Sequence, residues 1–359
     1  MNPKVSVLLI TYNQERFIEE AIVSAAEQDY DNLEVVAADD CSTDSTGKII
    51  KGLEKKYPGR VKAVVGETNL GITGNCNRGL VHCDGKYTAH IGGDDVFCPG
   101  KIAKQVEWME GDQRRVLSGH DVEVFYTAIP GFTHVRKHGR AGRSGVGNIR
   151  LLEYGVDSFF MGTSMMWRTD RVPEFGFDNR LPIVADWKFI LDIVGEDGIW
   201  GSIDGAYARY RRHDANITTR LTRYELYRDC LETIRIVSGE NRFSEDSLTK
   251  AKLAIFWNYA ENLWAAKKYD HAKRIYKSMW EHGSHFHFYM YRRMLRHRYN
   301  NFAIKFEMAL RNSAPYVYYL PARAYRFGAR VYRYGEKRLC KALKKHNLSF
   351  CQTGHDKKS

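Results

Sequence analysis

The stretch Tyr87-Thr-Ala-His-Ile-Gly-Gly-Asp-Asp-Val-Phe97 decides how this chain is read. An apolar run ends in two glycines and two adjacent carboxylates, Asp94 and Asp95, with Pro99 close behind. That is the pattern of a buried strand stopping at the rim of a sheet. Like charges on neighbouring residues repel, so the pair calls for a bound cation or a helix N-terminus. The plain alternative is that Asp95 caps a helix begun by Pro99.

Working outward, Val5-Ser-Val-Leu-Leu-Ile-Thr-Tyr12 is nearly continuous in apolar residues, as in a strand covered on both faces of a parallel sheet. Asn13 is the expected cap of a helix carrying Phe17, Ile18, Ala21, Ile22 and Ala25. A second strand, Leu33 to Ala38, runs into the polar loop Asp39-Asp-Cys-Ser-Thr-Asp-Ser-Thr46 and a helix with Ile49, Ile50, Leu53 and Tyr57. Val61 to Val65 is a third strand, Thr73 to Cys83 a helix, and Tyr87 to Ile91 a fourth strand. Strands alternating with helices imply right-handed crossovers and a doubly wound, mostly parallel sheet.

Ligands of such sheets bind beyond the C-terminal strand ends. Three ends here carry polar groups: Thr11-Tyr12-Asn13, Asp39-Asp40 and Asp94-Asp95. Neither G-x-G-x-x-G nor G-x-x-x-x-G-K-[ST] follows the first strand, which excludes the glycine-loop way of holding phosphates. A cation held by carboxylates is the other common solution, and the Asp pair offers oxygen ligands for Mg2+ or Mn2+.

Composition sets the frame. The 359 residues allow an α/β domain with a smaller second one, and 43% hydrophobic content describes a globular chain. The net charge of +12 is unevenly placed: from Thr222 onward 28 Lys and Arg face 12 Asp and Glu, while residues 1–221 carry 27 against 31. That argues against nucleic acid as partner of the N-terminal part and for an anionic surface as partner of the tail. Seven cysteines form no C-x-x-C pair, which suits a reducing compartment without structural zinc. No signal-peptide cleavage site and no stretch of ~18 apolar residues is found, so a cytoplasmic or peripheral location is expected.

The run Val5 to Asn13, the Asp39 to Thr46 loop, Asn69-x-Gly71 with Asn77-x-Gly79, and Gly85-Lys-Tyr followed by Asp94-Asp95 resemble the family 2 glycosyltransferases over roughly the first 220 residues. The resemblance implies the GT-A fold, a Rossmann-like mostly parallel sheet flanked by helices. It also implies a nucleotide-sugar donor, a divalent metal (Mn2+ or Mg2+) and inversion at the anomeric carbon. Carried over by residue, Thr11, Tyr12 and Asn13 belong to the nucleotide pocket, Asp39 meets the uracil edge, Asp94 holds the ribose and Asp95 binds the metal. UDP-sugars are favoured because Asp39 can accept from the uracil imide. Two positions depart from the family pattern: Gly92 replaces the first Asp of Asp-x-Asp-Asp, and Cys76 replaces an Arg common before Asn77.

Further along, Val116 to Phe125 reads as a strand, and Gly131 to Asn148 as either a plain surface loop or an acceptor-binding flap. Gly162 to Arg168 resembles the family's strand beneath the acceptor site, or is simple core. Asp186 precedes a helix whose Trp187, Ile190, Leu191 and Val194 face inward. It is either an N-terminal cap or, as the resemblance implies, the catalytic base, here as Ala185-Asp186 where Glu-Asp is usual. The segment Tyr210 to Thr218 resembles the family's closing segment. Arg211 or His213 would meet the diphosphate, with completion of the metal shell or a plain surface position as the other readings of His213.

Strand patterns stop after Thr219, which divides the chain into 1–220 and a basic helical region, 221–359. A chain ending near Thr222 is then expected to stay folded. Ala251 to Gly283 reads as a packing helical hairpin. Between Arg323 and Lys344 basic residues recur at steps of three and four, an amphipathic stripe suited to an anionic membrane or to a solvated face, with RNA as a remote third. The expected acceptor is a hydroxyl of a glycan or lipid-linked molecule at the inner face of the cell membrane. A second reading is a catalytically silent sugar-nucleotide- or glycan-binding protein. The sugar, the linkage and the oligomeric state are not encoded legibly.

Overall fold

A computed structural model describes residues 2–137, 142–155, 161–214, 216, 223–268, 270–272, 274 and 275. Strands β1 (Val5–Thr11), β2 (Leu33–Asp39), β3 (Val61–Val65) and β4 (Tyr87–Gly92) pair in parallel in the order β3-β2-β1-β4. Their connections are α1 (Ile18–Ala26), α2 (Thr46–Lys56) and α3 (Gly71–Leu80). The strand order reverses between β1 and β4, the kind of switch point that opens a crevice at the carboxyl edge.

Beyond β4 the sheet is mixed. β9 (Met166–Arg168) runs antiparallel to both β4 and β6 (Arg115–Tyr126), so only the last three residues of the Gly162 to Arg168 stretch form a strand. β6 pairs in parallel with the long β10 (Ile199–Arg212), and the two-residue β5 (Val96–Phe97) closes the far edge antiparallel to β10. Short strands β7 (Thr133–Arg136) and β8 (Ser144–Val146) hang on β6 and β10 and occupy part of the 131–148 stretch that has loop composition. Cross-strand pairing, which no local periodicity reports, makes them strands.

Alternation along the strands builds two cores. Val5, Val7 and Leu9 face α1, α2 and α4 (Lys101–Glu110), meeting Ile22, Ile50 and Ile102. Leu8 faces the other way, toward α3, α5 (Ile149–Tyr154) and α6 (Ala185–Val194). On that side Gly79 is required, since a Cβ there would stand 2.5 Å from Leu8 Cδ1 and 2.9 Å from Ala38 Cβ. On α6, Trp187, Ile190, Leu191 and Val194 are all buried, as their spacing requires.

Helices α7 (Arg223–Gly239) and α8 (Glu245–Ala265) complete the second core: Cys230, Ile234, Val237, Ala251 and Ile255 pack with Trp187 and Trp200. One compact unit runs from Met1 to Gly283 and takes in both helices. The division at 220/221 marks where strand periodicity ends, and apolar packing continues past it. The stripe from Arg323 to Lys344 and most of the 251–283 hairpin's second half lie outside the described residues. Among the described residues no helix is long and apolar enough to cross a membrane.

Candidate active site

Register brings the three polar strand ends together. Thr11 pairs with Asp39 across β1 and β2, and Ile10 pairs with Gly92 across β1 and β4. The chain then turns tightly: a Cβ on Gly93 would stand 2.6 Å from Thr11 Oγ1, so glycine lets the Asp94-Asp95 turn close against β1. Thr11 is buried and donates to Gln14 Oε1 at 2.7 Å. Tyr12, 46% exposed, is the open aromatic surface of this edge.

Asn13 does not cap α1, which begins at Ile18 behind Phe17 without a side-chain cap. It sits at φ 53° and ties two strand ends together: its N–H donates to Ser42 Oγ, and its Oδ1 accepts from Thr43 N–H, each at 2.8 Å. Asp39 is 1% exposed, and both its oxygens accept from Ser42, one from the backbone N–H at 3.1 Å and one from the hydroxyl. Its neighbour Asp40 accepts from Leu70 and Gly71 N–H at 2.8 Å each and pairs with Arg78. That carboxylate at the helix N-terminus starts α3 at Gly71, two residues before the expected Thr73.

Asp95 does not cap α4 either: that helix starts at Lys101 behind Gly100. Its carboxylate is buried, accepts from Arg211 N–H at 3.0 Å, and is pushed well above the usual range by desolvation and by the charge of Asp94. A buried carboxylate repelled by its neighbour is a place where a cation relieves both costs. A carboxylate oxygen is a ligand type that suits Mn2+ or Mg2+. Gly92 removes a third carboxylate from the same spot, since its Cβ would lie 2.9 Å from Asp94 Oδ1 and 3.5 Å from Asp95 Oδ2. Among the described residues no cluster of three or more His, Cys, Asp or Glu forms a ready-made metal cage.

Asp94 is half-buried. Its Oδ2 meets His213 Nε2 at 2.9 Å and accepts from Asn216 Nδ2 at 3.0 Å, while His213 packs on the Phe17 ring at 4.8 Å. Arg211 is buried behind this turn. Its Nε donates to Asp94 O at 2.8 Å, an Nη pairs with Glu20, and its guanidinium lies over the Phe17 and Phe125 rings. These contacts clamp the Asp94-Asp95 turn to α1, a structural job that the sequence did not suggest for this residue.

Asp186 occupies the first turn of α6, where its Oδ1 accepts from Trp187 N–H at 2.8 Å. Asp186 is exposed to solvent, although protein surrounds its carboxyl closely enough to shift it. Desolvation lifts its carboxyl to about 6, opposed by the Trp187 N–H and assisted by the charge of Asp229. The Cys76 thiol of α3 is pushed up to about 12 by desolvation, with the charges of Asp186 and Asp40 adding to it. Thr73 and Asn77 of α3 hold the chain ahead of α6, Thr73 Oγ1 donating to Leu181 O at 2.7 Å and Asn77 bonding both backbone groups of Phe177. Asp229 carries no sequence signal beyond its type, because its role is long-range.

The chain's residues 6–168 match the glycosyl transferase family 2 profile. An uncharacterized glycosyltransferase of Haemophilus influenzae is 35% identical over 248 residues, covering 67% of this chain and 73% of the relative. Several other curated relatives are matched over less than half of their own length. Among solved structures, Staphylococcus aureus TarS 1–349 in complex with UDP-GlcNAc superposes with TM-score 0.56 at 20% identity, over 72% of this chain and 73% of that one. The mannosyltransferase PcManGT of Pyrobaculum calidifontis, in complex with GDP-Man and Mn2+, gives 0.56 at 17% identity, over 79% and 77%. These two likenesses establish the GT-A type of fold. With its strand-end motifs in one edge, and with the Haemophilus relative covered over most of its length, the chain belongs to glycosyl transferase family 2.

Proposed function

We propose that this protein is an inverting glycosyltransferase that moves a sugar from a nucleotide diphosphate to a hydroxyl of a glycan or lipid-linked acceptor. The observation that supports the reading is the gathering of polar strand ends, Thr11, Asp39 and the Asp94-Asp95 turn, at one sheet edge, with Asp186 at the start of α6 as a carboxyl lifted to about 6. Inversion needs one base facing away from the leaving group, to take the acceptor hydroxyl's proton as the C–O bond forms. Asp186 has the basicity for that work near neutral pH, and among the described residues the Trp187 N–H of its own helix holds it. On the nucleotide side, exposed Tyr12 would offer a stacking face, Asp39 would meet the uracil edge, and Asp94 would hold the ribose. Asp95, with His213, would hold Mn2+ or Mg2+. The chemistry that such a cation supplies is neutralisation of charge on the departing diphosphate. UDP-sugars are the favoured donors, in line with the TarS complex with UDP-GlcNAc.

The test is a thermal-shift panel of UDP- and GDP-sugars on the full chain, with and without Mn2+, followed by assay of nucleotide release. A donor at 100 times its Kd stabilises by about 2.7 kcal/mol. A metal-dependent shift with one nucleotide class and slow diphosphate release supports the reading. No shift with any nucleotide sugar overturns it. A shift without release would favour the silent binding protein, the reading that Gly92 and Ala185 support. Action at the inner membrane face rests on the basic pattern of Arg323 to Lys344, and co-sedimentation with anionic vesicles at low and high salt checks it.

A further inference from the structure

We propose that Asp229 of α7 positions Asp186 and keeps a second negative charge beside it, an assignment that rests on Asp186 being the base. Asp229 is 3% exposed, and a carboxylate so placed needs donors. Both come from the chain just before Asp186: Ile183 N–H at 2.9 Å and Val184 N–H at 2.7 Å reach the same oxygen, Oδ2. Val184 is the N-cap position of α6, which has no side-chain cap of its own. A neighbouring helix thus supplies the carboxylate that this N-terminus lacks, and fixes the backbone from which Asp186 projects.

The same α7 segment grips α6 a second time. Lys188, 1% exposed, pairs with Asp192 at 2.8 Å and with Glu240, just after α7, at 3.0 Å. Arg242 then joins Asp192 and Glu240. Two grips four to nine residues apart along α6 leave it little freedom to rotate. Lys188 is committed to those partners, so the groups that face Asp186 are the Trp187 N–H on its own helix, the Cys76 thiol of α3 and the Asp229 carboxylate of α7. Among the described residues no cation stands beside Asp186, and Asp229 is the charge that favours its protonated form. The family profile ends at residue 168, so neither grip belongs to the matched motifs.

Carbon-13 NMR of aspartate-labelled full-length protein tests this without any substrate. The Asp186 carboxyl signal is identified by its loss in Asp186→Asn, and its midpoint is followed with pH alongside amide exchange at Ile183 and Val184. Asp229→Asn keeps an oxygen for both N–H groups and removes the charge, so the Asp186 midpoint should fall by about half a unit or more while both amides stay protected. Asp229→Ala should speed exchange of both amides by ~10-fold or more. An unmoved midpoint in Asp229→Asn, or unchanged exchange in Asp229→Ala, overturns the proposal. If neither variant folds, Asp229→Glu is read instead: it keeps the charge on a longer arm, so a held midpoint with faster exchange supports the proposal and wild-type exchange overturns it. Failure of the base reading is a separate result, seen as undiminished sugar transfer by Asp186→Asn.

Discussion

His213 Nε2 lies 2.9 Å from Asp94 Oδ2, so the histidine addresses the first carboxylate of the pair, while the second is held by Arg211 N–H at 3.0 Å. The two aspartates are thereby turned to different partners. Asn216 reinforces the division, donating to Asp94 and accepting from His213 N–H at 2.6 Å.

From that division follows the metal prediction. Asp95→Ala should abolish Mn2+-dependent stabilisation by a nucleotide sugar and leave the metal-free shift unchanged, because what is lost is the link between cation and diphosphate. His213→Ala frees Asp94 rather than Asp95, so it should change the Mn2+ effect far less than Asp95→Ala does. Thermal shifts with and without Mn2+ decide the matter, and equal donor affinity in both conditions for the wild type would remove Asp95 from the metal site.

For the base, Asp186→Asn keeps shape and the Trp187 contact but cannot take a proton. Transfer should slow by ~10²–10⁴ with donor affinity within a few-fold of wild type. With the carboxyl at about 6, wild-type activity should decline as pH falls through that value and Asp186 becomes protonated. An acidic limb that persists in the Asn variant would assign it to another group.

Truncation at Thr222 should not leave a folded domain, contrary to what the end of the strand patterns suggests. It would strip Cys230, Ile234, Val237, Ala251 and Ile255 from the core around Trp187. Even Ile234→Ala alone should cost about 2–5 kcal/mol. Urea unfolding of chains ending at 222 and at 283 separates the cases: only the longer is expected to unfold cooperatively.

Lys101 makes a stability prediction. It is fully buried, its Nζ meets Gln105 Oε1 and the Phe97 ring, and desolvation lowers it to about 7. A lysine depressed on folding binds fewer protons than the unfolded chain between about 7 and its ordinary value near 10.5. Its penalty is therefore complete below pH 7 and fades as pH rises through that window. Lys101→Met should be most stabilising, by about 1–4 kcal/mol, near pH 6 and lose that advantage by pH 10. Melting curves at both pH values check it, and a constant difference would mean that Lys101 is not held apart from solvent.

What the sequence determined by itself was the nucleotide half. Apolar runs ending in polar residues located β1 to β4, because a strand buried on both faces must be apolar throughout and its end is where polarity returns. The Asp94-Asp95 pair and Asp186 were visible for the same reason, as charges where the local pattern is otherwise apolar. Only the tertiary structure decided which partners these charges have. Asn13, expected as a cap, became a tie to the 42–43 loop; Arg211, expected at the diphosphate, became a clamp on the Asp94 turn; Asp229, unremarked on its helix, became the anchor beneath Asp186. The antiparallel insertion of β9 and the burial of α7 and α8 were likewise hidden. Periodicity records whether a side chain is covered, whereas pairing and hydrogen bonding across tens of residues depend on what covers it, and that is fixed only when distant segments meet.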